Sequence, residues 1–263
     1  MQVSFNFMLI VLSPAKSLDF ETLPTTKVAT TPDHLARSSA LIEVLRGYAP
    51  AELAQLMGLS DALAALNVAR YASWSGAPHG ARQAIMAFNG DVYAGFDARS
   101  LKPKALAFAQ QHVRILSGLY GVLRPFDLIH PHRLEMGSRL ATPEANDLYG
   151  FWGERVTTTL NEAIATSGAA VLLNLASEEY FKSVRPKLLT VPVINPVFQD
   201  WKNGQYKIIS FFAKRARGMM ARFAAEKGIM DAEKLKKFSA GGYAYSGDDS
   251  TATRWVFRRK IVP

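Results

Sequence analysis

The apolar positions of this chain fall into short continuous runs and short helical stripes, with no internal repeat and no heptad pattern. Leu9 to Leu12 form an apolar run that stops at Ser13-Pro14, so residues 8–13 read as a strand buried on both faces. Val113 to Leu116 and Val171 to Leu175 read the same way. The first ends at Ser117-Gly118; the second leads to Ser177, an N-cap for a helix through Val184. From Asp33 to Phe88 the period is helical. Asp33 follows Pro32 as an N-cap, and Gly47, Pro50, Gly58 and Gly76 cut the stretch into several helices. Further helices are expected over 103–112, 151–167 and 212–228. Residues 18–32 and 89–101 read as irregular. Asn203-Gly204 lies between two strand-like runs and predicts a tight hairpin, and 253–260 reads as a last strand.

Helices and strands mix without strict alternation, which predicts an α+β or irregular α/β fold, a mixed sheet surrounded by helices. No linker divides the chain, so residues 1–263 are expected to form one domain, with 33–88 as its helical region. The length and apolar content suffice for a large core. There is no cysteine, which excludes disulfides, thiolate metal sites and cysteine nucleophiles. No apolar run approaches the ~18–20 residues that span a bilayer, so no membrane partner is expected. The run Phe5 to Leu12 has no basic residue before it and makes a poor signal peptide. Met8 is a candidate natural start, with residues 1–7 an extension.

Charge adds direction. Lys and Arg number 31 against 22 Asp and Glu, a formal net charge of +9, which favours a polyanionic partner. Part of it can be localised. At 100° per residue, Phe212, Ala216, Met219, Met220 and Phe223 share about 100° of one helix face. Lys214, Arg215, Arg217 and Arg222 fall on the opposite arc. That spacing suits a row of phosphates; it also suits a solvated helix face.

Several polar residues stand close to the ends of apolar strands: Lys16, Asp19, Arg124, Arg133, Glu135, Asn174 and Lys182. Ser13-Pro14 suits an N-cap and first helical turn, and a lysine three residues beyond a buried strand reaches towards the strand's carboxyl end. Lys16 and Asp19 form either a phosphate or acid–base site or a loop ion pair. Arg133 and Glu135 share one side of an extended segment, opposite Leu134 and Met136. Lys182, Arg185 and Lys187 follow a helix start that already carries Glu178 and Glu179. His130-Pro-His132, with His112 before it, has a short metal-like spacing that surface turns also show, and no metal or cofactor is assigned.

Residues 59–71 resemble a helix-hairpin-helix, whose hairpin offers backbone amides to one DNA phosphate. Leu66, Asn67 and Arg70 are its candidate contacts. Ala65 and Asn67 stand where glycines normally do, and an ordinary amphipathic helix fits the same pattern.

The blocks LSPAKSLDF, AFNGDVYAGF, FAQQHVRILSGLYGVLRPFDLIHPHRLEMG, DLYGFWG, NLASEEYFKSV, PVF and KIISFFAKRARGMMARF occur in this order from Met8 to Tyr245. In this they resemble the peroxide stress protein YaaA family. The resemblance implies a cytoplasmic bacterial protein induced by hydrogen peroxide, limiting free iron and oxidative DNA damage. It also implies a distinct α/β fold with a basic cleft, a helix-hairpin-helix-like element at 59–71, and DNA as partner. Two functions are therefore expected. One is a DNA-backbone binder without strong sequence preference, using Lys214, Arg215, Arg217 and Arg222. The other is an enzyme acting on a nucleobase, nucleotide or damaged DNA, with Lys16 as nucleophile or phosphate ligand and Glu135 or Asp19 as acid or base. The second would bind an unidentified small molecule.

Overall fold

A computed structural model describes residues 7–260; of the stretch read as a start-site extension, only Phe7 lies within them. In chain order the strands are β1 (Phe7–Leu12), β2 (Ser17–Leu18), β3 (Arg82–Gln83), β4 (Phe88–Asn89), β5 (Val113–Ser117) and β6 (Gly121–Leu123). They continue with β7 (Leu128–Ile129), β8 (Ala169–Leu175), β9 (Val193–Lys202), β10 (Gln205–Lys207), β11 (Ala244–Ser246) and β12 (Arg254–Arg259). The helices are α1 (Leu35–Arg46), α2 (Pro50–Met57), α3 (Asp61–Ser73), α4 (Ala84–Ala87) and α5 (Asp91–Phe96). After them come α6 (Pro103–His112), α7 (Leu148–Trp152), α8 (Arg155–Ser167), α9 (Glu178–Phe181) and α10 (Ser210–Lys227).

The main sheet runs β11-β12-β9-β8-β1-β5-β6, with β10 paired to β9. Its centre is parallel: β1 pairs with β5 and β8, β8 with β9, and β9 with β12. The edges are antiparallel, as β6 returns along β5 and β11 along β12. The fold is thus a mixed, mostly parallel sheet flanked by helices. Met8 to Leu12 are all buried, so β1 is covered on both faces. Helix α8 packs on β1, β6 and β8; α6 and α10 pack on β1 and its neighbours from the other face.

Two glycine contacts set the geometry around the strand ends. At Gly118 a Cβ would lie 2.4 Å from the Leu134 carbonyl, so only glycine lets the segment 132–136 run against the end of β5. Gly121 has φ 70° and faces the ring of Trp152, where a Cβ would lie 2.7 Å away.

Local expectations need four corrections. The stretch 151–167 is two helices, broken at Gly153 (φ 55°, ψ −117°). The N-cap of α1 is His34, not Asp33. Ser13-Pro14 opens a loop, not a helix. The apolar face of α10 is made of small residues: Ala213, Ala216, Gly218, Ala221, Ala224 and Ala225 are buried with Met220, while Phe212, Met219 and Phe223 are only half-buried.

Candidate functional site

The carboxyl ends of β1 and β8 lie side by side in parallel register, with Leu12 opposite Leu175. The chain leaves β1 through Ser13-Pro14, and Pro14 has no N–H to continue the ladder. Ser13 Oγ instead accepts the Ser177 N–H at 2.8 Å and lies 3.2 Å from Ser177 Oγ. The Tyr93 hydroxyl donates to the Ser13 carbonyl at 3.0 Å. Ser17 of β2 pairs with Asn89 of β4, which fixes the segment 14–17 as one wall. Above these strand ends is a cavity of about 270 Å³, lined among others by Ser13, Lys16, Ser177, Glu179, Lys214 and Arg217. Arg217 also lines a neighbouring cavity of about 540 Å³, which holds Asn174, Glu178 and Lys182. The two share Arg217 and together form a cleft at the carboxyl ends of β1 and β8, bordered by the first half of β9, the usual ligand side of a parallel sheet.

Beside the smaller cavity is a charged cluster. Lys16 Nζ donates to Glu135 Oε2 at 2.6 Å, and Arg133 donates to Glu135 Oε1 from Nε at 2.9 Å and Nη2 at 2.8 Å. Burial pushes the Glu135 carboxyl up, but the hydrogen bonds from Lys16 and Arg133 outweigh it and hold it below the ordinary carboxyl value. Burial lowers the pKa of the Arg217 guanidinium, and the Glu178 carboxylate works against that shift. Tyr180 and Tyr93, both on the cavity wall, are pushed well up by burial, so both are neutral donors. The cleft therefore holds cations on flexible stems and two serine hydroxyls, with the carboxylates of Asp91, Glu178 and Glu179 among them. Glu179 is held in place: its Oε1 accepts from the Gly137 N–H at 3.0 Å.

The polar residues singled out along the chain divide. Lys16, Arg133 and Glu135 come together, and Asn174 and Lys182 line the adjoining cavity. Asn174 donates to Asn195 Oδ1 at 2.9 Å, and Lys182 lies 4.8 Å from the centre of the Tyr149 ring. Asp19 and Arg124 lie elsewhere. Asp19 accepts from the backbone of Glu21 and Thr22 and from Arg99, tying down its own loop. Arg124 bonds Asp127, Asp33 and the Thr31 carbonyl, joining two loops. Spacing from a strand end cannot separate such loop clamps from cleft residues.

The cationic face of α10 also divides. Lys214 and Arg217 line the cleft. Arg215 and Arg222 line a separate depression beside Gly95 and Asp97. Arg222 is committed: it donates to the carbonyls of Phe96 and Asp97 and to Ser100 Oγ, and pairs with Glu226 at 2.7 Å. It caps the end of α5 and belongs to the packing of α10. Ser13, Ser177, Glu179 and Tyr180 had no functional mark in the sequence. Ser177 reads as a helix cap, and that geometry is what turns its N–H towards Ser13.

The hairpin expected within 59–71 is absent. Residues 61–73 form one unbroken helix, α3. Asn67 is buried and donates back to the Leu63 carbonyl at 2.8 Å, as a mid-helix residue does. Leu66 is exposed and Arg70 bonds Asn67. The turn comes earlier, between α2 and α3, where Gly58 takes the left-handed conformation (φ 60°) that Ala65 would resist. The far end of α3 meets the cleft segment, since the Tyr71 hydroxyl donates to the Arg133 carbonyl.

The histidines are structural in their contacts. His130 Nε2 meets the Ala77 carbonyl and His132 Nδ1 the His130 carbonyl, each at 2.8 Å, and burial lowers His132 to about 4. Among the described residues no group of three His, Asp or Glu side chains is placed to hold a metal. No helix among them is long and apolar enough to cross a membrane.

Fold and cleft define a mixed α/β protein with a polar, cation-bearing cleft at the carboxyl ends of parallel strands. The chain belongs to the peroxide stress protein YaaA family, whose model matches residues 8–249. It is 60% identical over 257 residues to a UPF0246 protein of Ralstonia pickettii (strain 12J), covering 97% of this chain and 100% of that one. It is 58% identical over 256 residues to a UPF0246 protein of Janthinobacterium sp. (strain Marseille), covering 97% and 99%. Membership indicates a role in peroxide stress.

Proposed function

We propose that this chain binds DNA through its phosphate backbone, without strong sequence preference, and so limits iron-driven oxidative damage to DNA during peroxide stress. The observation that carries this reading is the convergence of Lys214 and Arg217 of α10 with Lys16 on one cleft. Arg215, exposed on the same helix, extends the positive surface beyond it. Cations of this kind neutralise phosphates and carry no base-edge code. The turn at Gly58 between α2 and α3 is a second contact point, moved from 59–71 to where a left-handed residue exists. A gel shift with two unrelated duplexes at low salt tests the reading. Similar affinities for both, falling steeply at moderate salt, support it. No shift at low salt, or no loss when Lys214, Arg215 and Arg217 are neutralised together, overturns it.

One observation favours a second reading, an enzyme acting on a nucleobase, nucleotide or damaged DNA. Lys16, Glu135 and Arg133 form a connected charged cluster beside a cavity of nearly nucleotide size, which backbone binding alone does not require. In that reading Lys16 meets the reacting group or its phosphate. A Lys16→Ala variant that binds DNA normally but fails to process an oligonucleotide altered by wild type would separate the two.

A further inference from the structure

The β9–β10 ribbon carries aromatic rings that the core does not use. Trp201 is 40% exposed, while Trp74, Trp152 and Trp255 are 6% exposed or less. Trp201 and Tyr206 are directly opposed across the ribbon and therefore share a face, their ring centres 4.9 Å apart. The turn between the strands is tight, with Asn203 at φ 53° and Gly204 at φ 79°, so both rings are held on a short, well-defined hairpin. Lys260 Nζ lies 4.9 Å from the centre of the Trp201 ring, and the Arg258 guanidinium lies 4.5 Å from that of Tyr206. Arg258 is fixed there by Asp249 and Gln199. Ile208 and Phe211, both more than half exposed, continue the apolar surface towards α10.

Apart from Asp249, already paired with Arg258, the charge beside these rings is positive. From Trp201 to Ala225 the chain contains Lys202, Lys207, Lys214, Arg215, Arg217 and Arg222, and no acidic residue. Asp200, just before, is buried against Arg259 and Tyr243. An exposed ring beside a half-buried one, with a lysine over it, supplies the two components by which proteins hold unpaired strands: stacking for the bases and cations for the phosphates.

We propose that the β9–β10 ribbon binds single-stranded nucleic acid, with bases stacked on Trp201 and Tyr206 and a phosphate held by Lys260, the lysine on their face. Lys260 occupies the ring face that a base takes. On binding it moves from the ring to a phosphate, while Arg258 stays and backs Tyr206. This site is separate from the cleft and does not rest on duplex binding there, so either can fail alone.

Because the other three tryptophans are buried, emission from Trp201 reports on the site directly. The intact chain is titrated at low salt with an oligothymidylate of about 12 nucleotides. Saturable quenching is expected. Trp201→Ala should weaken binding about ten-fold or more, measured by anisotropy of a labelled oligonucleotide. Trp201→Phe should keep most of the affinity while losing the emission change, and Tyr206→Ala should lose affinity as Trp201→Ala does. Unchanged emission at saturating oligonucleotide, or wild-type affinity in both alanine variants, overturns the proposal. So does an emission change with protein concentration alone, which would mean that a second copy covers the ribbon.

Discussion

Gly218→Ala tests the helix crossing that presents the cleft cations. Helices α5 and α10 meet through Gly95 and Gly218. A Cβ on Gly218 would lie 1.8 Å from the Val92 carbonyl oxygen and 2.8 Å from the Phe96 nitrogen. A Cβ on Gly95 would lie 2.1 Å from the Arg215 carbonyl oxygen. These neighbours are backbone, so no side chain can turn away. Restoring contact distance requires the helices to part by roughly 1.5 Å. In an ordinary helix interior, Gly→Ala gains about 1 kcal/mol. Overpacking of this kind costs about 1–3 kcal/mol and at times more. The Arg222 hydrogen bonds to Phe96, Asp97 and Ser100, at 2.9–3.0 Å, span the same crossing and would lengthen too. Their loss adds about 1 kcal/mol. The expected net effect is a destabilisation of about 2 kcal/mol, or a fall in Tm of roughly 4–8 °C. Urea unfolding followed by tryptophan emission measures it as a lower midpoint with an unchanged slope. A variant as stable as wild type, or more stable, would refute the tight crossing, because helix propensity alone would then decide the sign.

Three further outcomes are expected. Glu135→Gln should lose about 1–2 kcal/mol at neutral pH, because Lys16 and Arg133 lose their shared carboxylate. The Glu135 pKa is lowered in the fold, so its contribution is full above the ordinary carboxyl value and is lost as pH falls through the lower folded value. Urea midpoints of wild type and variant should therefore converge at acid pH, below the ordinary carboxyl value, and a constant gap would contradict the assignment. Arg222→Ala should cost stability by about 1–3 kcal/mol and leave DNA affinity nearly unchanged, while Lys214→Ala should do the reverse; paired melts and gel shifts check this. His132, held to about 4 by burial, should remain neutral at about pH 5.5 by NMR, and a midpoint near that of a free histidine would contradict its burial. Since the unfolded state takes up that proton first, this residue's share of stability falls as pH drops from the free-histidine value towards 4.

Where local chemistry decides, the sequence was readable. Helix α6 begins at Pro103 and ends at His112 as read, because proline favours the first turn and the following run is β-branched and apolar. The Asn203-Gly204 hairpin follows from two residues that tolerate positive φ. Legibility failed where a tertiary partner decides. Gly153 breaks 151–167 because the chain must turn there between two packed helices, and no proline or polar cluster marks it. Residues 59–71 resemble a hairpin in sequence, yet 61–73 is one helix, and Gly58 just before it is the residue able to turn. The cleft was half legible. Lys16, Arg133 and Glu135 stand where strand ends lead, but Asp19 has the same surroundings in sequence and binds its own loop. A helical wheel grouped Lys214 with Arg222, yet α5 lies along that face and divides them. Burial against a neighbouring helix is invisible to a period of 3.6.

Salt dependence of duplex binding tests the central claim most directly. The logarithm of the binding constant, plotted against the logarithm of salt concentration for wild type and for a Lys214→Ala, Arg217→Ala double variant, counts the phosphates each engages. The account predicts a steep negative slope for wild type, made shallower by about two in the double variant with fold stability retained. Equal slopes in the two proteins, or no binding by wild type at low salt, would contradict it.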